Sequence, residues 1–200
     1  MKGSRTTSEQ MQKEKLQSAE EQGEAFNQAV GQLSNKMMVQ GLTPKDAMGF
    51  SSGYMENVYA QAYRLYNTGK YAEATHLFRI LIMLNAMEPK YILGLGASLH
   101  MLKEYYDAIQ TYTMCAVLDP TNPIPHYHSS DCFIQMKDYL SAMLCLELVI
   151  DKASNKAEYA KMKERAQLSL DSLKKQLGSL PAGSEAAENE QTKSGPIDLL

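Results

Sequence analysis

Between Tyr59 and Val149, apolar and small residues recur three times at a fixed interval of 34 positions. Tyr71, Tyr105 and Tyr139 hold one place in this pattern, Ala74, Ala108 and Ala142 a second, and Phe78, Tyr112 and Leu146 a third. Leu65, Leu99 and Phe133 keep the same spacing, as do Leu81, Cys115 and Val149 and the small residues Ala62, Gly96 and Ser130. Inside each interval the apolar positions advance by three and four, so they share one face of a helix. The spacing predicts helix pairs over 55–68 and 71–84, 90–101 and 105–118, and 124–136 and 139–150. Gly69 closes the first helix, Asp119 and Pro120 end the second pair, and Pro123 and Pro125 bias the next connection away from helix before the third pair starts.

A period of 34 residues with this order of aromatic, small and apolar positions is that of the tetratricopeptide repeat, a pair of antiparallel helices per unit. The fold class expected is all-α: three tetratricopeptide repeats in a right-handed superhelix, with N-terminal helices and a C-terminal capping helix. Upstream, Phe26, Ala29, Val30, Leu33 and Met37 share one face of a helix over 24–40 that Gly41 stops. Thr43 then caps a short helix that begins at Pro44 and reaches Met48. Downstream, Met162, Ala166, Leu170, Leu173 and Leu177 face one way while Lys161, Lys163, Glu164, Arg165, Lys174 and Lys175 face water, as the open end of a repeat stack requires. The polar residues 1–23 read as a flexible arm or a fraying helix, 24–48 as helices available for dimerisation, 55–177 as the repeat domain with its cap, and 178–200 as a disordered tail.

Composition narrows what such an array binds. A formal net charge of −3 over 200 residues gives no basic footprint, so nucleic acid is not an expected partner. No apolar run approaches the ~20 residues of a membrane helix, and 1–40 lacks the apolar core of a signal peptide, so a cytosolic protein without stable membrane insertion is expected. Cys115, Cys132 and Cys145 form no CxxC pair and read as buried thiols. His100, His126 and His128 lack helical ligand spacing with a carboxylate or cysteine, and Gly94 and Gly96 sit inside a repeat helix rather than a phosphate loop, so neither a metal, a cofactor nor an enzyme is expected.

In such a stack the first helix of each pair lines the inner surface. The inward positions are Glu56, Tyr59, Tyr63 and Tyr66, then Lys90, Leu93, Ala97 and His100, then Ile124, Tyr127, Asp131 and Ile134. The candidate peptide-binding groove is therefore Tyr59, Tyr63, Tyr66, Leu93, Ala97, His100, Tyr127, Asp131 and Ile134. Tyrosine suits a peptide ligand because it joins a large apolar face to a hydroxyl that meets a backbone. The competing explanation, that these rings only pack, is opposed by Val58, Ala62 and Leu65, which already occupy the core positions of that helix. Recognition of acidic chain ends needs inward lysine, arginine or asparagine, and this groove has Tyr59, Tyr63, Leu93 and Ala97 there instead.

The stretch GLTPKDAMGFSSGYMENVYAQAYRLYNTGKYAEATHLFRIL, residues 41–81, with LELVI at 146–150, resembles the class II chaperones of bacterial type III secretion. The likeness runs from about 41 to 177: a short helix ahead of a Met-Glu-x-x-Tyr-x-x-Ala-Tyr-x-x-Tyr run, three repeats and a final helix. The resemblance implies a non-enzymatic chaperone of the bacterial cytoplasm whose groove holds an extended, proline-containing segment near the start of a hydrophobic translocator protein. It implies that Tyr59, Tyr63 and Tyr66 carry this role, with Leu93, His100 and Tyr127 matching less distinctively, and that 24–48 is the place for a homodimer contact. A general tetratricopeptide-repeat scaffold for cytosolic complexes is the alternative that the repeats by themselves leave open.

Overall fold

The computed structural model describes residues 3–154 and 156–178, with side chains from Glu21 onward. Its elements are α1 (Gly3–Gln40), α2 (Pro44–Ala47), α3 (Ser52–Asn67), α4 (Tyr71–Leu84), α5 (Pro89–Met101), α6 (Tyr105–Leu118), α7 (Ile124–Gln135), α8 (Tyr139–Ala153), a 3-10 turn at Ala157–Tyr159, and α9 (Ala160–Gly178). No strand occurs among the described residues. The expected tail over 178–200 lies outside them beyond Gly178.

Local chemistry sets most of these boundaries. Thr43 Oγ1 accepts the Asp46 N–H at 3.2 Å and donates to Asp46 Oδ2 at 2.7 Å, starting α2 at Pro44. Ser51 Oγ accepts the Tyr54 N–H at 3.1 Å and starts α3 three residues ahead of the periodic pattern. The first helices of the pairs end alike. The N–H groups of Gly69, Lys103 and Lys137 donate to the carbonyls of Tyr66, His100 and Ile134, and those of Lys70, Glu104 and Asp138 to Leu65, Leu99 and Phe133. This is the Schellman closure, which needs a left-handed residue, and φ is 79° at Gly69, 64° at Lys103 and 62° at Lys137.

The chain divides into two compact units, 1–95 and 96–200. In the first, α3 packs on α4, and α2 touches both α1 and α4. Its core is Met55, Ala62, Ala74, Phe78, Leu81, Leu84 and Tyr91, against which Val58, Leu65, Tyr59 and Tyr66 are half-buried. Gly94 belongs to this packing: a Cβ built on it would lie 2.3 Å from the Phe78 ring. In the second unit α7 packs against both α6 and α8, and α8 against α9. Ala142, Leu146 and Val149 of α8 meet Ala166, Leu170 and Leu173 of α9, with Tyr127, Phe133 and Ile134 at the edge. Each fully buried leucine or phenylalanine here contributes about 1.5–3 kcal/mol. The far side of α9, including Lys161, Glu164, Arg165, Lys174 and Lys175, is exposed.

Helix α1 differs from the sequence reading in extent. It begins at Gly3, whereas apolar periodicity begins at 24 and a flexible arm or a fraying helix was expected through 23. The upstream run is rich in Glu and Gln and contains no proline, so backbone propensity supports helix there. Of its apolar face only Leu33 and Met37 are half-covered, while Phe26 and Val30 are 68% and 47% exposed. No helix among the described residues is long and apolar enough to cross a membrane.

Candidate peptide-binding surface

In the first unit, α3 carries Tyr59, Tyr63 and Tyr66 at steps of four and three, but the structure grades them. Tyr63 is 52% exposed, whereas Tyr59 and Tyr66 lie half-buried against the core. The ring of Tyr59 stacks on Tyr63 at 6.3 Å between centroids, meets Phe78 edge-on at 6.1 Å and tilts against Tyr91 at 5.7 Å. Tyr66 turns instead to Tyr71 at 5.5 Å. Tyr59 and Tyr66 therefore serve both the core and the surface, and only Tyr63 is free of the core. Leu93 is half-buried in the same unit.

Two members of this cluster escaped sequence reasoning. Tyr91 stands where the other repeats have Asn57 and Pro125, so the period gave no sign of it. The Lys90 ammonium lies 2.6 Å from Glu56 Oε1 and 5.0 Å above the Tyr59 ring, so the two inward charges neutralise each other over an aromatic face. The hydrogen bond that Lys90 donates to Glu56 raises the Lys90 pKa. Burial raises the phenols of Tyr59, Tyr66 and Tyr91 above 10, which keeps their hydroxyls protonated at neutral pH.

In the second unit Ala97 and His100 of α5 and Tyr127, Asp131 and Ile134 of α7 are all half-buried. The His100 ring lies 5.9 Å from Tyr105 and 6.4 Å from His128. His128 in turn stacks on Tyr112 at 5.5 Å and meets Tyr127 edge-on at 6.0 Å. Burial lowers the pKa of both imidazoles, so they are neutral at pH 7, and burial raises the Asp131 carboxyl against the opposing influence of His100. His126, which the HxH spacing pairs with His128, is lowered by burial and by Lys152. No group of three His, Cys, Asp or Glu among the described residues could hold a metal ion.

A hollow of about 720 Å³ lies at the α8–α9 junction and is lined by Ala153, Ala157, Lys163 and Leu168. It does not include Tyr127, Asp131 or Ile134, because half-buried side chains on a helix face make an open surface rather than an enclosed cavity.

Helix pairs that repeat every 34 residues define a tetratricopeptide-repeat protein. The tetratricopeptide repeat family matches residues 55–86 and 89–122. The chaperone protein SicA of Salmonella typhimurium is 28% identical over 140 residues, spanning 70% of this chain and 85% of SicA. The Yersinia enterocolitica type III secretion translocator chaperone SycD, solved with a peptide of the translocator YopD, is 29% identical with a TM-score of 0.62, over 64% of this chain and 98% of SycD. PcrH, solved with the chaperone binding region of PopD, is 28% identical with a TM-score of 0.63, over 64% of this chain and 97% of PcrH. In sequence and in fold the chain is therefore similar to chaperones of type III secretion translocators, over most of their length.

Proposed function

We propose that this protein is a chaperone of the bacterial cytoplasm that binds hydrophobic type III secretion translocator proteins and keeps them soluble and competent for export. It acts by binding, without catalysis. The candidate contacts for an extended N-terminal segment of the client are Tyr59, Tyr63, Tyr66 and Leu93 in the first unit and Ala97, His100, Tyr127, Asp131 and Ile134 in the second. The observation that carries this reading is the Tyr59–Tyr63 stack, in which the half-exposed Tyr63 is left free by the core. It is supported by SycD and PcrH, each solved with a translocator segment. Covering ~300 Å² of apolar client surface contributes roughly 7 kcal/mol, from which ordering of the segment subtracts several, so capture is firm yet reversible. The exposed Phe26 and Val30 on α1 support a homodimer contact within 24–48.

The experiment is calorimetric titration of a translocator N-terminal peptide into wild type and a Tyr59→Ala, Tyr63→Ala double variant, with circular dichroism to verify the fold. Lost binding with helicity retained is expected, and unchanged affinity would remove the groove assignment. A second reading, a scaffold that recruits soluble partners through the outer helices, is favoured by Leu140, Leu144 and Leu148. These stand four residues apart on α8 and are 62%, 64% and 42% exposed. Co-purification of soluble regulators without any membrane-inserting client would select it.

A further inference from the structure

We infer that the surface shared by α5 and α7 selects client segments that place a lysine or arginine beside Asp131, with His100 as the neighbouring polar group; this rests on the peptide-binding reading above. Asp131 sits on α7 four residues after Tyr127 and three before Ile134, so the three occupy one face, and all are half-buried. Its situation contrasts with that of the inward charges of the first unit. Glu56 and Lys90 satisfy each other at 2.6 Å, whereas no lysine or arginine pairs with Asp131 among the described residues. A partly buried carboxylate lacking a cation is costly, and a ligand that supplies one recovers that cost on binding.

The surroundings narrow the ligand further. His100 does not neutralise the carboxylate at pH 7, because burial holds its imidazole below the usual range. As a neutral ring it donates at one nitrogen and accepts at the other, complementing a hydrogen-bonding ligand without competing with its charge. The half-buried rings of Tyr105, His128 and Tyr127 follow on from His100 at centroid steps of 5.9–6.4 Å, with the buried Tyr112 stacked behind His128. Such a wall excludes water and accommodates the aliphatic stem of a long basic side chain. The same carboxylate repels a client aspartate or glutamate, so selection works by rejection as well as attraction.

The test uses the full chain and a family of short, extended, proline-containing apolar peptides. In these, one position at a time is lysine, acetyl-lysine or glutamate, and binding is read by fluorescence anisotropy at low salt. At one register the lysine peptide is expected to bind wild type roughly tenfold more tightly than the acetyl-lysine peptide, with glutamate weakest. Asp131→Asn, which keeps the shape and loses the charge, should erase that ranking. An identical lysine preference in Asp131→Asn, or no preference at any register in wild type, overturns the assignment and leaves the peptide groove standing. If no peptide binds wild type, the groove reading falls and this inference falls with it. Should Asp131→Asn fail to fold, the ranking of the three peptides on wild type decides alone.

Discussion

Gly96 of α5 abuts the ring of Tyr112 of α6: a Cβ built on Gly96 would fall 2.6 Å from Cε1 and 2.8 Å from Cδ1. Tyr112 is fully buried, so the ring has little freedom to yield. The two helices approach to a distance that only a missing side chain permits. Gly96→Ala gains about 1 kcal/mol of helix propensity but forces overpacking worth about 1–3 kcal/mol. A net loss of about 1 kcal/mol in urea unfolding is expected. Adding Tyr112→Leu should return part of that loss in a double-mutant cycle; strict additivity would show that the two sites do not collide.

The grading of the α3 tyrosines separates binding from folding. Tyr63→Ala touches an exposed ring and should change stability by less than about 0.5 kcal/mol while weakening a translocator peptide about tenfold. Tyr59→Ala removes a ring packed on Phe78 and Tyr91, so it should cost about 2 kcal/mol of stability as well as affinity. Equal stability losses for the two variants, measured by denaturant titration, would contradict this division.

Much of the fold was legible because a period of 34 registers side-chain size, and size decides which helix faces are buried. Ala62, Ala74 and Leu81, with their counterparts Ala108, Cys115, Ala142 and Val149, all lie in the interior as that pattern requires. The pattern was silent where backbone geometry or a single ring decides. Gly94 reads as an unremarkable helix glycine until Phe78 is seen against it, and Tyr91 has no counterpart in the other repeats. Tyr59 and Tyr66 were expected to face away from the core, but a ring is wide enough to touch the core with one edge and the surface with the other. The helix closures were legible at Gly69 alone, since Lys103 and Lys137 hide the left-handed turn behind a residue that rarely adopts it.

Those two lysines give a direct test. A non-glycine residue at φ near 60° costs about 1–2 kcal/mol, offset in part by the ~1 kcal/mol that glycine loses in chain entropy. Lys103→Gly and Lys137→Gly are each expected to raise the unfolding free energy by up to about 1 kcal/mol, additively because they lie in separate turns. A loss from either in thermal melts would mean that its side chain contributes more than its backbone costs.

The three thiols should be slow to react. Burial pushes Cys132 up to about 12 and Cys115 and Cys145 up to about 11, so little thiolate exists at pH 8 in the native state. Ellman's reagent at that pH is expected to modify none of them promptly in native protein and all three at once in guanidinium. Prompt modification of one native thiol, located by mass spectrometry, would show that its helix opens.

Asp131 also predicts how stability depends on pH. Burial holds its carboxyl above the ordinary aspartate value, with His100 on α5 opposing. A group raised in this way destabilises the fold when ionised. The penalty is absent below about pH 4, where folded and unfolded chains are both protonated, and it grows as pH rises through the folded value. Asp131→Asn cannot ionise and so escapes the penalty. The variant should melt above wild type at pH 7, and the gap should shrink as pH falls toward about 4. Cys132, adjacent in sequence, and Cys145 of α8 stay protonated across this range and add no slope. A saturating lysine-bearing peptide should stabilise wild type more than the variant at pH 7, because the supplied cation removes the cost of ionisation. A melting gap that is constant across the pH series would mean that the carboxylate is already compensated in the free protein.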